Sequence, residues 1–372
     1  MKDIRRLREQ FPITKSKVFL NHAGQSPLPK PVVDAMRKFM DEFSSTGKMN
    51  TDFDEPKKLF AKLIGAASPD EIAYVTNTST GLNIVAHMMN YPTGVNVVTT
   101  DLEFPSVVYP WLNPKLGVKV HYVKNVGGKI LLSDMEKAVD DKTVAVAVSH
   151  VAYVNGFRHD LRALADIAHG HGAYLIVDAI QSAGVMPIDV ERDDVDFLTA
   201  SCYKWLLGPA GAGFLYVRQD LINKFEPPFI GWASVKPEVF ETIDIWDIWN
   251  LKLATTARRF EVGQPSIYSF IGAAASLKLL LDTGISHVER RVLALTSRLM
   301  EAVKQRGLQL QTPEEPVECR SGVVNFLIDK PQERVKRLEA KGIIVSARAH
   351  GIRVSPHFYN TEEEIDKLID AL

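Results

Sequence analysis

Cysteine is nearly missing. Cys202 and Cys319 are the only two in 372 residues. They stand far apart and in no metal-ligand spacing, which argues against a disulfide framework or a thiolate metal site and reads as reduced thiols in a cytoplasmic protein. Long apolar runs are missing too. No stretch reaches the roughly eighteen residues of a membrane span, and the opening "MKDIRRLREQF" lacks the apolar centre of an export signal. Membrane insertion and export are both disfavoured. An excess of one charge sign is the third absence: 44 lysines and arginines face 45 aspartates and glutamates. No global field therefore draws the chain to nucleic acid or to an anionic membrane. A small-molecule partner is the remaining expectation, and no residue cluster suggests a metal.

What is present is core-forming material, 46% hydrophobic residues, enough for one large domain and a smaller one. Short β-branched runs such as "NVVTTD", "KVHYVK", "TVAVAVSHV", "AYLIVDAI" and "GAGFLYV" alternate with helical patterns such as "LRALADIAHGHG". Several runs are apolar on both faces, which predicts a largely parallel sheet covered by helices, an α/β layer architecture. The large domain is expected over residues 21–262. Beyond it the pattern changes to two helices, around 267–283 and 286–306, then a strand over 321–329, a helix over 331–342, further strands and a last helix. Residues 263–372 together with 1–20 are read as a small α+β domain. Thr361 and Glu364 supply a capping box for the last helix. The stretch 226–262, with Trp232, Trp246 and Trp249, reads equally as a lid or subunit contact and as packing of irregular structure. The H-G-H at 169–171 reads as helix C-terminal capping rather than metal binding.

In open α/β sheets ligands sit beyond the carboxyl ends of the strands, and four polar features fall there. "VTNTSTGLNIVAH" runs from a strand into a helix through Thr78, Ser79 and Thr80, a phosphate-binding arrangement that can also be a plain helix cap. Asp178 ends the apolar strand of "IVDAIQS", where a carboxylate needs a cation or donor; a ligand cation or a helix cap would serve. Lys204, in "TASCYKWLLGPAGAGF", lies among aromatic and apolar residues that disfavour its ammonium and free its amine as a nucleophile, unless it snorkels to the surface. The following "GPAGAG" is not G-x-G-x-x-G and opens no predicted helix, which leaves a nicotinamide-dependent oxidoreductase as a weaker rival. Arg353, in "GIRVSPHFYNTEEEIDKL", suits a carboxylate held by two hydrogen bonds, or a structural ion pair. A phosphate cradle, an acid for a ring nitrogen, a Schiff-base lysine and a carboxylate clamp together specify pyridoxal 5'-phosphate acting on an amino acid.

From "VFLNHAGQSPLP" to "RVSPHFYNTEEEID" the chain resembles the class V aminotransferase group of fold type I pyridoxal-phosphate enzymes. That group includes cysteine desulfurases, kynureninase and isopenicillin N epimerase. The resemblance implies a mostly parallel, seven-stranded type of sheet and a homodimer with a shared active site. It implies that Lys204 binds the cofactor covalently and shuttles the α-proton, and that Asp178 pairs with the ring nitrogen. It further implies that Gln181 contacts the ring oxygen, Phe104 stacks on the ring, and Thr78, Ser79, Ser201 and Tyr203 bind the phosphate. Arg353 is implied to hold the substrate carboxylate, while Asn21 and His22 border the substrate. Gln264 stands where the group has a threonine that reaches the partner subunit's phosphate, and Ser266 is the nearby hydroxyl that compensates.

Two departures narrow the activity. The desulfurase kind carries a catalytic cysteine shortly before the arginine strand, whereas "VSARAHGIRVS" has none, so persulfide chemistry is disfavoured. Phe104 and Tyr153 stand where desulfurases have histidine and asparagine, and both resemble the isopenicillin N epimerase-like branch. An aminotransferase is expected first, an epimerase second and a β-elimination lyase third. A non-catalytic ligand-binding relative is the rival of another class. Trp111, Arg258 and Arg348 are left as either pocket-lining or structural.

Overall fold

The computed structural model describes residues 4–236 and 249–372; Trp246 lies outside the described residues. The chain begins near a short strand, β1 (Val18–Phe19), and then builds a seven-stranded sheet. Its strands are β2 (Ile72–Val75), β3 (Asn96–Thr100), β4 (Lys119–Val123), β5 (Thr143–Ser149), β6 (Tyr174–Asp178), β7 (Phe197–Ser201) and β8 (Gly213–Val217). Their spatial order is β2-β8-β7-β6-β5-β3-β4. Strands β4, β3, β5, β6 and β7 pair in parallel, and β8 runs antiparallel to both of its neighbours. The sheet is thus the mostly parallel α/β sheet expected.

Alternation along the inner strands feeds two cores, one on each face. Val98, Val146, Val148, Leu175 and Val177 enter one cluster, while Val97, Ala145, Ala147 and Ile176 enter the other. Strand β7 has no counterpart among the sequence-based expectations. Its "FLTAS" is short and three of its five residues are small or polar, so no apolar run announces it, yet all five are buried.

Two further sheets lie in the C-terminal part. Strand β9 (Val324–Leu327) occupies the centre of the expected 321–329 run, β10 (Ile343–Ile344) pairs in parallel with β1, and the hairpin β11 (Ser346–Arg348) with β12 (Gly351–Val354) pairs through β12 with β9. The helices Ile267–Thr283 and Ile285–Gln305 fall where the periodicity puts them. Phe270, Ala273, Leu277 and Leu280 of the first join the same core as one face of the large sheet. The last helix, Glu362–Ala371, has the expected capping box: the Thr361 N–H donates to the Glu364 carboxylate at 3.1 Å.

The H-G-H segment does end the Leu161–Gly170 helix, but its side chains serve acids rather than carbonyls. His169 meets the fully buried Asp196 at 2.8 Å and His171 meets Asp141 at 2.8 Å. The cause is Asp196, which needs donors because it has no solvent. Trp232 and Trp249 are exposed rather than packed in a core. No helix among the described residues is long and apolar enough to cross a membrane.

Candidate active site

The C-terminal ends of β2, β3, β5, β6 and β7 share one edge of the sheet, and the polar features converge there. Asn77 follows β2 and caps the Thr78–Met88 helix, its side chain accepting from the Thr80 N–H at 2.9 Å. The helix approaches the sheet closely because residue 81 is glycine: a Cβ there would lie 2.3 Å from Thr199 Oγ1. Its first turn carries a cluster of hydroxyls. Ser201 Oγ accepts from the Thr78 N–H at 2.6 Å and bonds Thr78 Oγ1 at 2.9 Å, while Ser79 Oγ bonds Ser106 Oγ at 2.7 Å.

Asp178 closes β6 and is 2% exposed. Its carboxylate accepts from the Ile180 N–H at 2.8 Å, and burial pushes it up to about 6 against the opposing pull of the Lys204 charge. Lys204 stands in the turn after β7. Burial lowers its ammonium to about 8, Asp178 working against that shift and Arg353 and Arg348 adding to it. Its Nζ lies 5.8 Å from the ring centroids of both Phe104 and Tyr203. Phe104 in turn meets Tyr153 edge-on, with centroids 5.2 Å apart. The turn is held by a bond from the Leu207 N–H to the Lys204 carbonyl at 2.9 Å and places Leu207 at φ 59. That left-handed conformation is costly for a bulky residue and recurs at functional sites.

Gly184 supports this turn from below. It sits at φ 96, and a Cβ on it would come within 2.5 Å of the Trp205 carbonyl oxygen. Gly184→Ala is therefore expected to displace the lysine-bearing turn and cost roughly 2 kcal/mol or more. A denaturant midpoint equal to the parent's would contradict this.

Arg353, on β12, is 2% exposed. It donates to the Tyr153 carbonyl at 2.8 Å and to Ser346 Oγ at 3.3 Å. No described carboxylate pairs with it, and burial with the Arg348 charge lowers it to about 10. Gln181 is enclosed: its amide donates to the Ala23 carbonyl at 3.0 Å and accepts from the Trp205 indole at 2.8 Å. Asn21 Oδ1 is buried with no partner. His22 is fully buried. Its Nδ1 faces the Ser355 carbonyl at 2.8 Å and so carries the proton, which leaves Nε2 to accept from the Tyr359 hydroxyl at 2.8 Å. Gln264 and Ser266 are exposed. Gln264 lines a recess with Trp232, Arg258 and Glu261, and Ser266 bonds Ser269. The glycine-rich 208–212 segment leads into β8, not into a helix. Trp111 is core, 1% exposed.

Two groups escaped the sequence reading. One is Ser106. The other is Glu103, half-buried next to Phe104, which accepts from Ser149 Oγ at 2.5 Å, the Ser149 N–H at 2.9 Å and Thr100 Oγ1 at 3.0 Å. Ser149 is the β-sheet partner of Asp178, so Glu103 ties the Phe104 loop to the strand beside the buried aspartate. Burial, with a contribution from Asp178, raises Glu103 from 4.5 to about 7. Between those two values the folded parent keeps a proton that the unfolded chain has released, so this group's contribution falls as pH rises. The stability of the parent minus that of Glu103→Gln is expected to drop by about 3 kcal/mol across this window and stay level above it. Using the difference removes the buried His150, His159 and His357, whose lowered values act with the opposite sign. A level difference across the window, measured by urea unfolding, would show that Glu103 ionises as an ordinary glutamate.

The donor set fits pyridoxal 5'-phosphate. A buried carboxylate with one N–H partner suits a cationic ring nitrogen, a hydroxyl cluster at a helix N-terminus suits a phosphate, and a desolvated lysine suits an aldehyde. The residues 18–368 match the model of the Aminotransferase class-V family. The chain is 34% identical over 371 residues to the "Uncharacterized aminotransferase YcbU" of Bacillus subtilis (strain 168), covering 98% of this chain and 96% of that one. It is 30% identical to a "Probable cysteine desulfurase" of Pyrococcus abyssi, with 98% and 96% covered. Among solved structures, an apo cysteine desulfurase from Thermococcus onnurineus NA1 superposes with a TM-score of 0.90 at 30% identity, covering 100% of this chain and 97% of that one. With a seven-stranded sheet of this order and a desolvated lysine just beyond β7, the chain belongs to the aminotransferase class V family of pyridoxal-phosphate-dependent enzymes.

Proposed function

We propose that the chain is an aminotransferase in its reaction as well as in its family. The observation that carries the amino-acid part of this reading is Arg353: a buried guanidinium with no described acid partner, whose charge is felt at Lys204. Such a cation is costly to bury, and the α-carboxylate of an amino acid is the anion that offsets the cost. When bound, the cofactor supplies an electron sink for the pair left as a bond at Cα breaks.

The remaining work falls to the chain. Thr78, Ser79, Ser106 and Ser201 offer hydroxyl and N–H donors to the phosphate. Asp178 stays anionic opposite a cation at the ring nitrogen, and Gln181 and Phe104 border the ring. Lys204 Nζ, whose ammonium burial lowers to about 8, would hold the cofactor covalently and would carry the Cα proton. Asn21 and His22 are both held to Ser355, and His22 would act through its packing on Trp205, the neighbour of Lys204.

The destination of that proton sets the reaction. Carried away from Cα, it permits amino-group transfer to a keto acid; returned to the opposite face, it gives epimerisation; with loss of a β-substituent, elimination follows. Transfer needs one proton carrier, and Lys204 is that carrier. Tyr203 is a poor proton acceptor, since burial and the Asp178 charge hold its phenol above the usual range. This favours transfer over the isopenicillin N epimerase-like alternative. Persulfide formation lacks a thiolate: β11 and β12 join through Ala349 and His350 alone, and burial raises both Cys202 and Cys319.

We also propose a homodimer in which Gln264 or Ser266 of one copy completes the phosphate site of the other. The division into residues 21–262 and residues 1–20 with 263–372 is kept as the proposed domain boundary. Cytoplasmic residence is proposed from the two free, buried thiols. The reaction is tested by adding amino acids singly, without a keto acid. Conversion of the cofactor to its amino form supports the proposal; racemised substrate with unchanged cofactor, or release of a β-group with pyruvate, would replace it.

A further inference from the structure

We infer that Arg348 is a second carboxylate receptor, so that the substrate is an amino acid with an acidic side chain. This rests on the reading of Arg353 as the α-carboxylate clamp and extends it.

The pairing of β11 with β12 sets Ser346 opposite Arg353, Ala347 opposite Ile352 and Arg348 opposite Gly351. Cross-strand partners share a face of the sheet, and so do residues two apart on one strand. Ser346, Arg348 and Arg353 therefore occupy one face, while Ile352 on the other is fully buried in the C-terminal core. The Arg353 Nε–H donates to Ser346 Oγ, which identifies this face as the one carrying the clamp. The hairpin is rigid where it matters. Ala349 and His350 adopt φ 45 and φ 62, a two-residue turn matching strand twist. Asn325 donates to the Arg348 carbonyl at 3.3 Å and to the Val154 carbonyl at 2.9 Å, tying the hairpin end to the loop that carries Tyr153.

The guanidinium of Arg348 is exposed, and Nη1 donates to the neighbouring Ala347 carbonyl at 2.8 Å. Among the described residues no carboxylate pairs with it. Its charge acts unfavourably on Lys204 and on Arg353 together. A third cation near two others is destabilising until anions arrive. The clamp would take one carboxylate, and the hydroxyl cluster at the start of the Thr78–Met88 helix is the group proposed for the phosphate. A second carboxylate on the same substrate is the anion left for Arg348, and a planar fork suits it.

The test uses the cofactor-loaded protein at physiological ionic strength. Aspartate and glutamate are titrated against their uncharged isosteres asparagine and glutamine, with affinity read by calorimetry and by the visible absorption of the cofactor. The acids are expected to bind at least about tenfold more tightly than the amides, as one added charge-assisted contact gives. Arg348→Gln is expected to bring that ratio close to one, and high salt to shrink it in the parent. Equal binding of acids and amides by the parent, or a ratio that survives Arg348→Gln, would overturn the inference while leaving the amino-acid reading intact. A protein with no visible band and no response to any of the four would sink both.

Discussion

Lys204→Ala is expected to lose the visible absorption of the cofactor-loaded protein and to slow turnover roughly 10,000-fold or more, since one residue is both covalent anchor and proton carrier. The fold should survive. Burial opposes the Lys204 charge, so its removal relieves a desolvation cost. Asp178 then loses the cation that helps keep it ionised, and its carboxyl moves further up from about 6. Far-ultraviolet circular dichroism and the thermal midpoint separate this outcome from unfolding. A variant that keeps its colour and its turnover would remove Lys204 from the chemistry.

Arg353→Met is the second large effect, and its sign differs between binding and stability. Substrate affinity is expected to fall roughly 100-fold, the usual scale for removing one member of a buried, hydrogen-bonded charge pair. The substrate-free protein is expected to gain on the order of 1 kcal/mol, because an unpaired buried cation is exchanged for an apolar chain of similar volume. The gain is limited by the Tyr153 carbonyl, which loses its donor. Function bought with stability in this way separates a binding arginine from a structural one. Had Arg353 served a structural ion pair, the same change would lower stability and leave affinity alone.

The sequence made the large features readable because they break local rules. A lysine inside "CYKWLL" and an aspartate closing "IVD" are polar residues where strand patterning expects apolar ones, and the structure puts Asp178 and Lys204 within electrostatic reach of each other. The parallel sheet was legible for the same reason, since runs such as "TVAVAVS" are apolar on both faces. Glu103 was not legible. In "DLEFPS" it looks like a solvated loop charge, and its meaning comes from burial against Ser149, a residue distant in sequence. Strand β7 hid behind threonine and serine, and His169 behind a helix end, because tertiary partners rather than local pattern decide both. Arg348 shows the limit from the other side. Its residue type is equally at home on any surface, and only the hairpin register sets it on the face of Arg353.

The central claim is that one lysine, Lys204, holds the cofactor. Borohydride reduction of the purified, cofactor-loaded protein, followed by proteolysis and peptide mass analysis, tests it directly. The account predicts a single modified peptide, spanning "SCYKWLLGPAGAGFLYVR", with the added mass of a reduced pyridoxyl phosphate group on Lys204. A modification on any other lysine, or none in protein supplied with the cofactor, would contradict it.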